Sequence, residues 1–287
     1  MESPTHRIHP FNAMKPPPSR PNLSQRGLVI CTALLLHGCS HFQASNVARV
    51  GAMEVEYVAS SGKGPPIVFE NGLGGSFDGW KEVYPSVSVD HAAVLYHRFG
   101  YGKSSDTTAP RDGQHIVEEL RTFLKAKDIQ PPYVLVGHSV GGLYAQYFAR
   151  KHPEEVSALV LVDSTHPHQM QGNGAPEHWS SWVRFAVNVI TPQAGINELQ
   201  YINATGDAVL ELPMPMHIPV WILAAKKEQD RVSTDAYIRD TQDKRQDLLR
   251  LYPQAKVVWV DSGHVIPLEK PEAVIEAIQQ AIAAHQP

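Results

Sequence analysis

A serine hydroxyl becomes a useful nucleophile only where the backbone lifts it into the open and a base lies within hydrogen-bonding reach. Gly137-His138-Ser139-Val140-Gly141-Gly142 offers the first condition, because it follows the apolar run Tyr133-Val134-Leu135-Val136 and precedes the helical pattern Leu143–Lys151. A sharp strand-to-helix turn strains the residue at its apex, and glycines on either side let it close without clashes. The hydroxyl of Ser139 is then exposed, with a helix N-terminus behind it that favours negative charge. The candidate base is His264, in Asp261-Ser262-Gly263-His264, directly after the apolar run Val257–Val260. A loop at the carboxyl end of a parallel strand shares a rim of the sheet with Ser139, so the two can meet across a long sequence separation. His166 and His168 lie close together but read as a polar loop rather than a metal site, and no motif calls for a metal or a cofactor.

The elements that would position these groups alternate along the chain. Strand candidates are Met53–Ala59, Pro66–Glu70, Ala92–Tyr96, Tyr133–Gly137, Ala158–Val162, Val220–Ala224 and Val257–Val260. Most are apolar throughout, as strands covered on both faces of a parallel sheet should be. Helical patterns fall between or after them at Ile116–Lys127, Leu143–Lys151, Ala236–Leu251 and Pro271–Ala284. This alternation predicts an α/β fold with a mostly parallel, doubly wound sheet. It lapses once, over residues 166–216, where Gly, Pro, Asn and Trp surround one helical pattern, Trp179–Ile190. An insertion there reads as a small cap over the ligand side of the sheet.

Bulk properties narrow the function classes. The 287 residues allow one domain with a substantial core, and 43% hydrophobic with 19% charged residues is a globular composition. A net charge of −4 without clustered Lys and Arg gives no footing for nucleic acid. Residues 1–38 read as an extension and signal segment. Arg20 and Arg26 precede the apolar stretch Gly27–Leu36, which is short for a membrane span. Met14 would serve as a start as well as Met1, since Lys15 and Arg20 still supply the basic flank. Leu36-His37-Gly38-Cys39 resembles a bacterial lipoprotein box, which would leave a lipid on Cys39. Both cysteines, Cys31 and Cys39, lie in this segment, so the expected mature domain forms no internal disulfide. By that resemblance Ser40 would direct the protein to the outer membrane, facing the periplasm, whereas a plain signal peptide that merely contains Cys39 would leave it periplasmic or secreted. Residues 39–47 are expected to be a linker and 48–287 the folded domain.

From about Val50 onward the chain resembles the α/β-hydrolase superfamily. The matching motifs, in the family's order, are Glu70-Asn-Gly-Leu-Gly-Gly75, Arg98-Phe-Gly-Tyr-Gly-Lys-Ser104, Gly137-His-Ser-Val-Gly141 and Ser262-Gly-His264. Asn71-Gly72 stands where many members have His-Gly, and His97-Arg98-Phe99-Gly100 where they have Asp-Arg-Pro-Gly. The resemblance implies acyl transfer, in which preorganised amides stabilise the developing oxyanion at about 3 kcal/mol each. One donor is expected at Val140, the residue after the nucleophile, and the other at Leu73. The base also requires a carboxylate to fix its tautomer. Asp163 ends the strand after the nucleophile's, in a run, Val162-Asp-Ser-Thr-His-Pro167, that resembles members with the acid at that place. Glu228 and Asp230 follow Val220–Ala224, where most members keep theirs, so both stay open as alternatives.

The expected activity is hydrolysis of a small-molecule carboxylic ester through an acyl-Ser139 intermediate. Thioester or amide hydrolysis and cofactor-free haloperoxidase chemistry would use the same residues. Epoxide and haloalkane hydrolysis would want a carboxylate nucleophile in place of Ser139. A non-catalytic binding protein on a hydrolase fold is the remaining alternative.

Overall fold

The computed structural model describes residues 45–284, apart from 180, 182, 183, 185, 186, 188, 190 and 228–233. Its strands are β1 (Asn46–Val50), β2 (Met53–Ser60), β3 (Lys63–Glu70), β4 (His91–Tyr96), β5 (Tyr133–His138), β6 (Val156–Val162), β7 (Val220–Ala225) and β8 (Lys256–Val260). The described helices are α1 (Tyr84–Val87), α2 (Gly113–Ala126), α3 (Val140–Lys151), α4 (Gln193–Glu211), α5 (Asp235–Leu251), α6 (Ile266–Glu269) and α7 (Pro271–Ala284).

All eight strands join one sheet in the order β1-β2-β4-β3-β5-β6-β7-β8. The first two pairings, β1 with β2 and β2 with β4, are antiparallel, and the rest are parallel. β5 lies at the centre, with Val136 opposite Phe69 on one side and Val160 on the other. Its residues alternate between two cores: Leu135 packs with Ile116, Leu120 and Leu143, whereas Val134 and Val136 pack with Val274 and Ile278 of α7. Covering both faces of the sheet in this way explains why β3, β5, β6 and β7 carry almost unbroken apolar runs.

Three features depart from the sequence expectation. β1 begins at Asn46, inside the expected linker, because its residues pair with β2 across the Gly51 turn. β8 forms the edge of the sheet, so Val257, Val258 and Trp259 stay partly exposed even though the run looks like a buried strand. The insertion contains α4, a 19-residue helix that the pattern did not announce. Gly195 and Gly206 weaken its helical signal, yet both are demanded by packing. A Cβ on Gly206 would lie 1.8 Å from the Pro167 carbonyl oxygen, and one on Gly195 2.5 Å from Thr191 Cγ2. Much of the helical pattern expected at Trp179–Ile190 lies outside the described residues, as do Cys39 and the segment before it. No described helix is long and apolar enough to cross a membrane.

Candidate active site

Ser139 occupies the turn between β5 and α3 with φ 54° and ψ −125°, a left-handed backbone that a residue with a Cβ adopts only under constraint. Its amide donates to the Val162 carbonyl at 3.2 Å, and its carbonyl accepts from Gly142 at 2.9 Å and from Thr165 at 3.0 Å. The glycines of the turn are there because the backbone is crowded. A Cβ on Gly137 would lie 2.6 Å from the Gly141 oxygen, and one on Gly141 2.4 Å from the Glu70 oxygen.

The loop after β8 brings His264 to this apex, its Nε2 3.0 Å from Ser139 Oγ. On its other side Nδ1 lies 2.7 Å from Asp163 Oδ2. The neighbouring ring of His138 reinforces the position of the loop, with Nε2 2.9 Å from the His264 carbonyl oxygen. Burial, and then the adjacent His264, push His138 down to about 4, so it stays neutral and donates that hydrogen bond near neutral pH.

Asp163 is the second strained residue, with φ 38° at the end of β6. Its amide donates to Leu223 at 2.8 Å, and Oδ1 accepts from the Ala225 amide at 3.1 Å, so the adjoining strand β7 fixes both its backbone and its carboxylate. Burial pushes its carboxyl up, but the hydrogen bond and charge of His264, followed by Arg245 and the Ala225 amide, outweigh that and hold it at about 2. Asp163 is therefore ionised at neutral pH. Glu228 and Asp230, the alternative acids, lie outside the described residues.

Leu73 and Val140 flank the hydroxyl in a cavity of about 190 Å³ that Ser139, Asp163 and His264 also line. Val140 is the first residue of α3, where an amide has no intrahelical acceptor. The Leu73 loop presses close: a Cβ on Gly72 would lie 3.3 Å from Ser139 Cβ. Gln169 and Met170, from the insertion, form part of the same wall. A larger cleft of about 670 Å³ lies around Pro65, Pro131 and Pro132, and no serine, cysteine or histidine lines it. His166 and His168 are tied into a polar loop, with His166 Nε2 3.0 Å from Asp247 and its Nδ1 accepting from the His168 amide.

Three contributors have no local signature in the sequence. Arg245 of α5 reaches Asp163, with Nε 3.3 Å from Oδ1 and Nη2 3.3 Å from Oδ2. Glu198 of α4 pairs with Arg98 beneath the Leu73 loop. Glu269 Oε2 accepts from the Gly263 amide at 2.8 Å and so steadies the approach to His264. The arrangement can deprotonate a hydroxyl and hold the resulting imidazolium against a carboxylate, beside a cavity lined by Leu73 and Val140.

Comparison with known proteins agrees with the fold. Residues 65–190 match a family model described as the alpha/beta hydrolase fold. The chain is 37% identical to the uncharacterised protein YqjL of Bacillus subtilis strain 168 over 100 residues, 35% of this chain and 40% of that one. It is 34% identical over 102 residues to the (lyso)-N-acylphosphatidylethanolamine lipase of Mus musculus, 34% of this chain and 30% of that one. The matched segments thus span less than half the length of these relatives. Among solved structures, the thioesterase domain from the curacin biosynthetic pathway superposes with a TM-score of 0.63 at 15% identity, covering 82% of this chain and 99% of that domain. The sheet order, the strained turn after β5 and these matches together show that the chain has the α/β-hydrolase fold.

Proposed function

We propose that the protein is a serine hydrolase that cleaves carboxylic esters through an acyl-enzyme. One observation carries this reading: Ser139, His264 and Asp163 form a continuous hydrogen-bonded line, with spacings of 3.0 and 2.7 Å, at a strained turn in a cavity that Leu73 and Val140 also line. His264 Nε2 takes the hydroxyl proton as Ser139 Oγ bonds to the substrate carbonyl carbon. The oxygen of that carbonyl becomes an anion held by the Val140 and Leu73 amides. As the tetrahedral intermediate collapses, the C–O bond to the alcohol breaks and His264 returns its proton to the leaving oxygen. Water then repeats the sequence on the acyl-Ser139 ester, releasing the acid. Asp163 stays ionised throughout and stabilises the imidazolium, consistent with a carboxyl held at about 2.

A fluorophosphonate probe tests the reading directly. The wild-type chain is expected to take up one phosphonyl group on Ser139 and to hydrolyse p-nitrophenyl esters, whereas Ser139→Ala does neither. A folded wild-type protein that never reacts would favour a non-catalytic binding role. Export and lipidation at Cys39 belong to the same proposal, placing the enzyme at the bacterial outer membrane with the domain in the periplasm. The mass of the mature protein decides this, since the bare polypeptide mass would exclude a lipid.

A further inference from the structure

The loop Glu70-Asn-Gly-Leu-Gly-Gly75 is held from beneath by one buried side chain. Arg98, just after β4, is 4% exposed, and every N–H of its guanidinium has an acceptor. Nε and Nη2 donate to the two oxygens of Glu198 at 2.8 and 2.9 Å. Nη1 donates to Glu70 Oε2 at 3.1 Å and to the Asn71 carbonyl at 2.7 Å, and Nη2 also donates to the Gly72 carbonyl at 3.1 Å. The rings of Tyr101 and Tyr144 lie 5.1 and 5.2 Å from the guanidinium carbon.

Stability alone gives little reason for this cluster, because a buried carboxylate–guanidinium group is often no more stable than well-packed apolar residues of the same volume. The two carbonyls supply a reason. A trans peptide unit is planar, so the Gly72 C=O and the Leu73 N–H point in opposite directions. Drawing the Gly72 oxygen down onto Arg98 turns the Leu73 N–H away from Arg98, toward the cavity that Leu73 and Ser139 share. The same Gly72 oxygen accepts from the Gly75 amide at 3.1 Å, which closes the turn around that orientation. Glu198 is fully buried and belongs to α4, so the inserted segment fixes the guanidinium from the far side.

We infer that Arg98 is a positioning residue that aims the Leu73 amide at the oxyanion through the Gly72 carbonyl, with Glu198 of the insertion holding Arg98 in register. This rests on the serine-hydrolase reading, since the amide has an oxyanion to meet only if Ser139 attacks a carbonyl. It also makes the insertion part of the oxyanion machinery, not merely a wall of the cavity.

Arg98→Lys tests the inference. It keeps the buried positive charge but has three donors in place of a five-donor fork. With p-nitrophenyl butyrate, kcat is expected to fall by about 10- to 100-fold while KM stays within about threefold. The Ki of a trifluoromethyl ketone, which binds as an oxyanion on the serine, should rise by the same factor as kcat falls. A folded Arg98→Lys enzyme with a lowered Tm but wild-type kcat and ketone affinity would make Arg98 a stabilising residue only. Should that variant not fold, Glu198→Gln decides: kcat about fivefold lower at constant KM, with a matching rise in Ki, supports the inference, and kcat within twofold overturns it. A wild-type chain that takes up no fluorophosphonate refutes the functional reading and this inference with it. A reactive wild type with unaffected variants refutes this inference alone.

Discussion

Two carboxylate–cation networks stand on opposite sides of Ser139, built from similar groups under different physics. On one side Asp163 meets His264 and Arg245, and the His264 side chain is 32% exposed where it faces the cavity. On the other, Glu70, Arg98 and Glu198 are sealed, with Glu198 fully buried. In the proposed reaction the open network exchanges a proton with substrate, because its middle member is an imidazole at the cavity wall. The sealed network has a guanidinium at its centre, which does not give up a proton at any ordinary pH. Burial pushes the Glu70 carboxyl up to about 6, against the pull of Arg98 and the Tyr96 hydroxyl, yet the fork geometry leaves little freedom to rearrange. On the proposed reading, an imidazole at the cavity wall makes one network a proton relay, and burial of a permanent charge makes the other a brace.

The sharpest break in this comparison is removal of the relay's middle member. His264→Ala is expected to lower kcat by about 10⁵-fold or more, close to the loss from Ser139→Ala, because the two act as a unit. Its thermal stability should fall by less than that of the Arg98 variant below, because Asp163 keeps Arg245 and the Ala225 amide as partners. Asp163→Asn ranks next, with kcat down by 10²- to about 10⁴-fold through loss of the correct tautomer. Asparagine tolerates the left-handed backbone at this position better than most residues, so the effect should be on catalysis more than on folding. Glu228→Gln should stay within roughly threefold of wild-type kcat, and the reverse ranking would move the acid to the strand β7 loop.

Removing the brace should show the opposite signature. Arg98→Met leaves two buried carboxylates uncompensated and is expected to destabilise the fold by about 3–5 kcal/mol, read as a shift in denaturant midpoint at constant slope. A loss under about 1 kcal/mol would mean that burial does not separate the two networks.

The pH dependence of stability sharpens the relay side. Asp163 is held at about 2 in the folded chain and titrates near 3.9 when unfolded. A depressed carboxyl contributes stability above the unfolded value and loses it as pH falls through the folded one. Wild type should therefore lose roughly 2 kcal/mol more than Asp163→Asn between about pH 4 and pH 2 in urea titrations. Parallel curves would mean that Asp163 is not charge-paired in solution.

What was legible in the sequence follows from how local each signal is. Ser139 and His264 each sit in a short run whose glycines and preceding strand define their geometry within a few residues. Asp163 was legible as a strand-end carboxylate but not as a strained one, because its φ of 38° comes from bonds to Leu223 and Ala225, sixty residues away on the chain. Arg98 stood in a recognisable motif, but its partner Glu198 is 100 positions on, in a helix whose glycines hide it. Arg245 lies on a strongly polar helix with Leu248 as its single buried residue, so nothing local distinguishes it from the solvated arginines around it. Packing between distant elements decides such pairs, and periodicity does not report it.

The smallest expected effect is the most discriminating for the comparison. Arg245 contacts Asp163 from the cavity side, at 3.3 Å to each oxygen. Asp163 already accepts from His264 and the Ala225 amide, so a glutamine at 245 leaves the carboxylate partnered and removes only one charge. Arg245→Gln should therefore cost about 1 kcal/mol or less and lower kcat by less than about tenfold, and its effect should shrink further in 1 M salt, where the screening length falls to about 3 Å. The Arg98 variants should be insensitive to the same salt, because ions cannot enter their cluster. If Arg245→Gln proves as damaging as Arg98→Met and equally indifferent to salt, the two networks share one physics, and the division into relay and brace fails.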